Sequence, residues 1–146
     1  VYNDIGEIYS VQGDDSKALD YFKKSLKIVL SVYGENHSQV SSIYDHIGEV
    51  YFAQKDYSKA LYYFEESLKI GLSLFGENHP EVALSYYSIG SLYIIQGDKS
   101  KALNYYEKSL KIRLSVYGEN HPLTKEIMDL INVANSKVLQ SPETTK

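Results

Sequence analysis

Gly76-Glu77-Asn78-His79 is the middle of three copies of one tetrapeptide. The others stand at 34–37 and 118–121, so the period is 42 residues. The rest of the chain keeps the same register. Gly6, Gly48 and Gly90 are in step, as are Tyr9, Tyr51 and Tyr93, then Ala18, Ala60 and Ala102, and the Ser-Leu-Lys-Ile runs at 25–28, 67–70 and 109–112. A fixed period of this size is the mark of a repeat array, in which each supersecondary unit buries its apolar face against its neighbours.

Within a unit the apolar spacing is helical. Val82, Tyr86, Ile89 and Tyr93 step by four, three and four, and Ala60, Phe64, Leu68, Leu72 and Phe75 follow the same rule further along. Each unit therefore reads as a helical hairpin. Tyr63, Ile70 and Leu74 add a second stripe to the second helix, which predicts that it also packs on a neighbouring unit.

Turn chemistry sets the borders. Asn78-His79-Pro80-Glu81 offers a capping Asn, a first-turn Pro and a Glu three residues after the cap. Asn36 with Gln39 repeats this, whereas Asn120 with Leu123 does not, which predicts a less firmly started last helix. Asp14, Asp56 and Asp98 are candidate caps of the second helices, after Gly13, Lys55 and Gly97 at left-handed positions; Gly34, Gly76 and Gly118 close those helices. The resulting map places helices near 1–12, 14–33, 37–54, 56–75, 79–96, 98–117 and 122–139. The opening Val1, with no Gly-Glu-Asn-His lead, suggests a fragment truncated inside a unit. In the last helix Asn132 and Asn135 stand where Gly90 and Tyr93 stand in the unit before, as a polar capping helix requires. The expected organisation is about three repeats over 1–121, a capping helix over 122–140 and a disordered tail over 141–146.

Composition narrows the function. A 146-residue chain with 43% hydrophobic and 23% charged residues is long enough to bury a core without disulfides, and it contains no cysteine. The net charge of −4 and a single arginine, Arg113, argue against a nucleic-acid partner, whose phosphates must be neutralised. No apolar run approaches the ~18 residues of a membrane span, and no signal peptide is recognisable. The default location is cytoplasmic, and the sequon Asn36-His37-Ser38 carries no weight.

No nucleophile elbow, phosphate loop or Gly-rich dinucleotide turn occurs, and hairpin repeats build surfaces rather than closed pockets. The expectation is no enzyme, no cofactor and no metal. His37, His79 and His121 fall on successive hairpins, too far apart to share an ion, and read as first-turn structural residues. His46, beside Asp45 and Glu49, is a better candidate with too few ligands. The 15 tyrosines read as helix-packing residues rather than a base-stacking platform.

The series Tyr44, Ile47, Gly48, Tyr51, Ala60 and Phe64, echoed by Tyr86, Ile89, Gly90, Tyr93, Ala102 and Tyr106, resembles the tetratricopeptide repeat pattern. The unit is about two helical turns longer than the ~34 residues of that motif. With Leu30, Leu72 and Leu114 in place of the usual helix-ending Pro, it is similar to the long-repeat subgroup found in kinesin light chains and related scaffolds. The resemblance implies an all-α fold, a right-handed superhelical array of antiparallel hairpins whose first helices line a concave, peptide-binding groove. Carried over by position, that groove comprises Asn3, Glu7, Ser10, Asp45, Glu49, Phe52, Tyr87, Ser91, Ile94 and Asp129.

Among these, Asn3 alone matches the Lys, Arg and Asn set that clamps acidic chaperone tails. The carboxylates instead fit a basic peptide with apolar anchors, or equally a merely solvated face. The leading expectation is a non-enzymatic protein-interaction scaffold. A structural spacer or an end-to-end self-association module is the alternative, and a regulatory array attached to an enzyme the third.

Overall fold

The computed structural model describes residues 1–139, with side chains to residue 136; the expected tail at 141–146 lies outside the described residues. The described elements are α1 (Tyr2–Val11), α2 (Asp15–Tyr33), α3 (Ser38–Ala53), α4 (Tyr57–Phe75), α5 (Pro80–Ile95), α6 (Lys99–Tyr117) and α7 (Pro122–Leu139). They fall into two compact units. Unit 1, Val1–Gly76, holds the hairpins α1–α2 and α3–α4, with α2 also packed on α3; unit 2, from Glu77, holds the hairpin α5–α6 with α7 packed on α6.

The hairpins close around small residues. A methyl group on Gly6, Gly48 or Gly90 would lie 2.6, 2.7 and 2.7 Å from the ring of Phe22, Phe64 or Tyr106, so the first helix of each hairpin approaches an aromatic of the second too closely for any side chain. Ala18, Ala60 and Ala102 are fully buried in the second helices, as the repeat pattern predicts. Beside each crossing Tyr9 stacks on Tyr21, Tyr51 on Tyr63 and Tyr93 on Tyr105 at 5.5, 5.7 and 5.7 Å. The extra turns are fastened separately. Ser41 Oγ on α3 donates to the Ser67 carbonyl at 3.2 Å and shares a 2.9 Å hydrogen bond with its hydroxyl, while Ser109 Oγ donates to the Ala83 carbonyl at 2.8 Å. The serine of the Ser-Leu-Lys-Ile run thus holds the long second helix against the start of the first.

Second helices start on the expected aspartates. The side chains of Asp14, Asp56 and Asp98 accept from the backbone N–H of Lys17, Lys59 and Lys101, whose ammonium groups pair with the same carboxylates at 3.5, 3.6 and 3.7 Å. The preceding turn needs a left-handed residue, filled by Gly13, by Gly97 and, at φ 62°, by Lys55.

First helices depart from expectation. Their cap is histidine rather than asparagine: Nδ1 of His37, His79 and His121 accepts from the N–H of Gln39, Glu81 and Leu123 at 3.1, 3.2 and 3.2 Å. The ring is steadied by stacking, His37 on Tyr33 at 4.2 Å and His121 on Tyr117 at 4.3 Å. One histidine thereby covers an orphan amide and joins the end of one helix to the start of the next. Since α7 has this cap too, the expectation of a weak start for the last helix is overturned. Leu74, assigned to the second stripe, is exposed, whereas Ile70 of that stripe is buried.

Candidate functional site: the faces of the first helices

In unit 1 the fold brings α1 and α3 together and gathers Asn3, Glu7, Ser10 and Glu49 around a residue outside the expected set, His46. Asn3 Nδ2 donates to Glu7 Oε1 at 2.9 Å. The Asn3 side-chain oxygen Oδ1 lies 3.3 Å from His46 Nδ1, and His46 Nε2 lies 3.6 Å from Glu7 Oε1. Stacking on Phe22 at 5.3 Å fixes the imidazole plane. Glu7, Ser10, His46 and Glu49 rim an open depression of about 230 Å³ that reaches Val11 and Phe22. Crowding by the surrounding protein desolvates the exposed Glu49 carboxyl and pushes it above its ordinary value; His46 draws it back, and the like charge of Glu7 raises it further. Asp45 is half-buried, and Phe52, at the far end of α3, packs edge-on against Tyr57 at 5.7 Å.

The corresponding face of unit 2 is built differently. Tyr87 donates its hydroxyl to Glu126 Oε1 at 3.2 Å, and Ser91 shares a 3.0 Å hydrogen bond with the Tyr106 hydroxyl. Beneath them lies Arg113 of α6, only 3% exposed. Its guanidinium stacks under the Tyr87 ring at 5.0 Å, donates to the Leu123 carbonyl at 2.8 Å and stands 3.7 Å from Glu126 Oε2. Desolvation lowers the Arg113 pKa from the ordinary arginine value, and Glu126 opposes the change. Glu126, not Asp129, is therefore the carboxylate of α7 that reaches Tyr87; Asp129 is exposed and Ile94 half-buried.

Three contributors lay outside the expected set. His46 follows Asp45 by one residue, and its link to α1 is visible only once α1 and α3 are side by side. Arg113 interrupts the register of Val29 and Gly71, and that break was its signal. Glu126 has no counterpart of like charge, the matching positions being Ser42 and Leu84. Among the described residues, no group of three His, Cys, Asp or Glu side chains is placed to hold a metal ion. No helix among them is long and apolar enough to cross a membrane.

Comparison with known proteins places this geometry. A tetratricopeptide repeat family model matches residues 1–73 and again 39–115. The chain belongs to the tetratricopeptide repeat family. Its fold is similar to that of BtubC (BKLC) from P. vanneervenii, with a TM-score of 0.86 at 23% identity over 94% of this chain and 55% of that one. It is similar also to a candidate kinesin light chain from Podosopora anserina with nearly identical TPR-like repeats, with a TM-score of 0.81 at 16% identity, covering 95% of this chain and 67% of that one. The N-terminal domain of stress-induced protein-1 (STI-1) from C. elegans aligns with a TM-score of 0.66 at 19% identity, covering 92% of this chain and 91% of that one. The chain thus spans little more than half the length of BtubC. No curated protein sequence matches it significantly. The all-α tetratricopeptide architecture is what these likenesses establish.

Proposed function

We propose that the chain is a protein-binding scaffold without chemistry of its own, and that the faces of its first helices receive a partner peptide. The tetratricopeptide fold is generally a protein-interaction scaffold. The observation that carries the finer reading is the α1–α3 depression, where Glu7 and Glu49 flank His46 beside the apolar floor of Phe22. A lysine or arginine fits it: the ammonium or guanidinium meets two carboxylates while its aliphatic stem covers the ring. A cation there also offsets the desolvation that raises the Glu49 carboxyl and, more weakly, the like charge of Glu7. On unit 2, Tyr87, Ser91 and Ile94 offer a less charged face suited to an apolar anchor, with Asp129 exposed nearby on α7. Asn132 and Asn135, both exposed, support α7 as a capping helix.

A peptide-library pull-down at low and high salt tests the reading. Basic peptides are enriched at low salt, and the enrichment fades as salt screens the carboxylates. Asp45→Lys combined with Glu49→Lys abolishes it. Equal recovery of acidic and basic peptides, unchanged by the double reversal, leaves the carboxylates as solvated surface. Concentration-dependent self-association in sedimentation, without peptide binding, would favour the spacer or self-association reading instead.

A further inference from the structure

The two longer-helix hairpins carry a second concavity, away from the first-helix faces, at one set of repeat positions. In unit 1 it is bounded by Glu35, Asn36, Tyr44, Glu66, Lys69 and Ser73, with a volume of about 310 Å³. In unit 2 the equivalent concavity measures about 510 Å³. It forms where the added turns of the second helix overhang the Gly-Glu-Asn-His loop and the opening of the first helix, so it is a product of the 42-residue period. Its floor is Ile112, buried like its counterpart Ile70.

The two differ in charge. Glu66 in α4 is replaced by Lys108 in α6, so unit 1 presents two glutamates with one lysine and unit 2 presents Lys108 and Lys111 with Glu77. The Lys108 ammonium is held at the rim, 5.5 Å over the Tyr86 ring and 5.4 Å over that of Tyr105. Neither Lys108 nor Lys111 forms an ion pair among the described residues, in contrast to Lys17, Lys59 and Lys101, each committed to a capping aspartate. Across the mouth Asn78 Nδ2 donates to Ser115 Oγ at 3.2 Å, which fixes the loop on α6 and leaves the Ser115 hydroxyl proton for another acceptor. The Tyr86 phenol, whose ionisation is disfavoured by burial and then by Glu77 and Tyr105, stays a neutral donor. Four donor-bearing side chains, Lys108, Lys111, Tyr86 and Ser115, therefore line a cavity with an apolar floor and a single acidic wall residue, within the size range of small-ligand sites.

We propose that this concavity of unit 2 binds the carboxylate side chain of a glutamate or aspartate in a partner peptide. Lys108 and Lys111 supply the charge, Tyr86 and Ser115 the neutral hydrogen bonds, and Ile112 the surface for the methylene stem. The proposal rests on the reading of the chain as a peptide-binding scaffold, yet uses none of the residues on the α1–α3 face. A partner carrying both signs of charge would then be read at two different places by two different chemistries.

The test is amide-resolved NMR of the intact chain titrated with a blocked Ala-Glu-Ala-Glu-Ala peptide, its glutamine counterpart and its lysine counterpart. The glutamate peptide shifts Asn78, Tyr86 and Ser115, and the glutamine peptide binds about tenfold more weakly. Lys108→Glu weakens the glutamate peptide by at least about tenfold; the fold tolerates a carboxylate there, as Glu66 in α4 demonstrates. Glu66→Lys, which gives unit 1 the same pair of lysines, creates a second responsive concavity at Asn36 and Tyr44. Equal binding of the glutamate and glutamine peptides, indifference to Lys108→Glu, or ready displacement by inorganic phosphate would overturn the assignment. The lysine peptide reports separately: its failure at Glu7 and Glu49 contradicts the proposed function while leaving this concavity standing.

Discussion

On α1 and α3 the carboxylates of Glu7 and Glu49 flank His46 and remain open to solvent, whereas on α5 the positions of Asp45 and Glu49 carry Tyr87 and Ser91, both with hydroxyls already engaged. Part of the difference lies in the second helix. Where α4 has the buried Gly71, α6 has Arg113, which fills the space beneath Tyr87 and draws Glu126 of α7 toward it. The skeleton of Gly at the crossing, Ala opposite it and stacked tyrosines beside it is common to both units. Repeats can therefore share the Gly, Ala and Tyr of the crossing and still present one face with open carboxylates and one whose polar groups bond one another.

If the crossing is shared, Gly48→Ala and Gly90→Ala should be equally damaging. Each forces a methyl group into a ring that has little room to move, at a cost of about 3 kcal/mol, read from the denaturant midpoint. Unequal effects would show that the two hairpins close by different means. Arg113→Leu should act on unit 2 alone. Losing its charge-assisted bond to the Leu123 carbonyl and its stacking on Tyr87 costs about 2 kcal/mol, and hydrogen exchange should rise at the start of α7 but not in α1 or α3. Protection lost throughout the chain would contradict that localisation.

A smaller effect of opposite sign is expected at Lys55, the non-glycine with positive φ among the described residues. Lys55→Gly relieves left-handed strain and raises stability by about 1 kcal/mol, whereas Gly97→Lys at the matching turn lowers it by a similar amount. Thermal midpoints of the two variants compare the turns directly.

The smallest effect is a pH dependence confined to unit 1. The folded state raises the Glu49 pKa above its unfolded value, so its protonated form is favoured by folding. The associated stabilisation is fully present below the unfolded pKa and fades as pH rises through the folded one, a window that opens at the ordinary glutamate value and extends upward from it. Glu49→Gln should remove that slope, measured by denaturation across mildly acidic pH.

Helix order and the aspartate caps were legible in the sequence because each depends on spacing within one hairpin. The first-helix cap was misassigned to asparagine because Asn and His stand side by side and Asn is the better cap in isolation; stacking of His37 on Tyr33 and His121 on Tyr117, which decides the matter, is tertiary. Glu7 and Glu49 were carried over by position from the tetratricopeptide resemblance. His46 and Glu126 did not, because their partners sit on other helices at sequence separations that no single-helix pattern encodes. Ser67 and Ser109 repeated conspicuously, yet only the packed hairpins reveal that they fasten the added turns.

The central claim is that the α1–α3 face is receptive to a cationic residue while the α5 face, whose polar groups bond one another, is not. Amide chemical shifts during titration with a blocked Ala-Lys-Ala-Lys-Ala peptide measure this most directly. Saturable changes at Asn3, Glu7, Ser10, His46 and Glu49, absent at Tyr87 and Ser91 and abolished by Glu7→Lys with Glu49→Lys, are the predicted result. Changes of equal size on both faces, or changes that survive the double reversal, would contradict it.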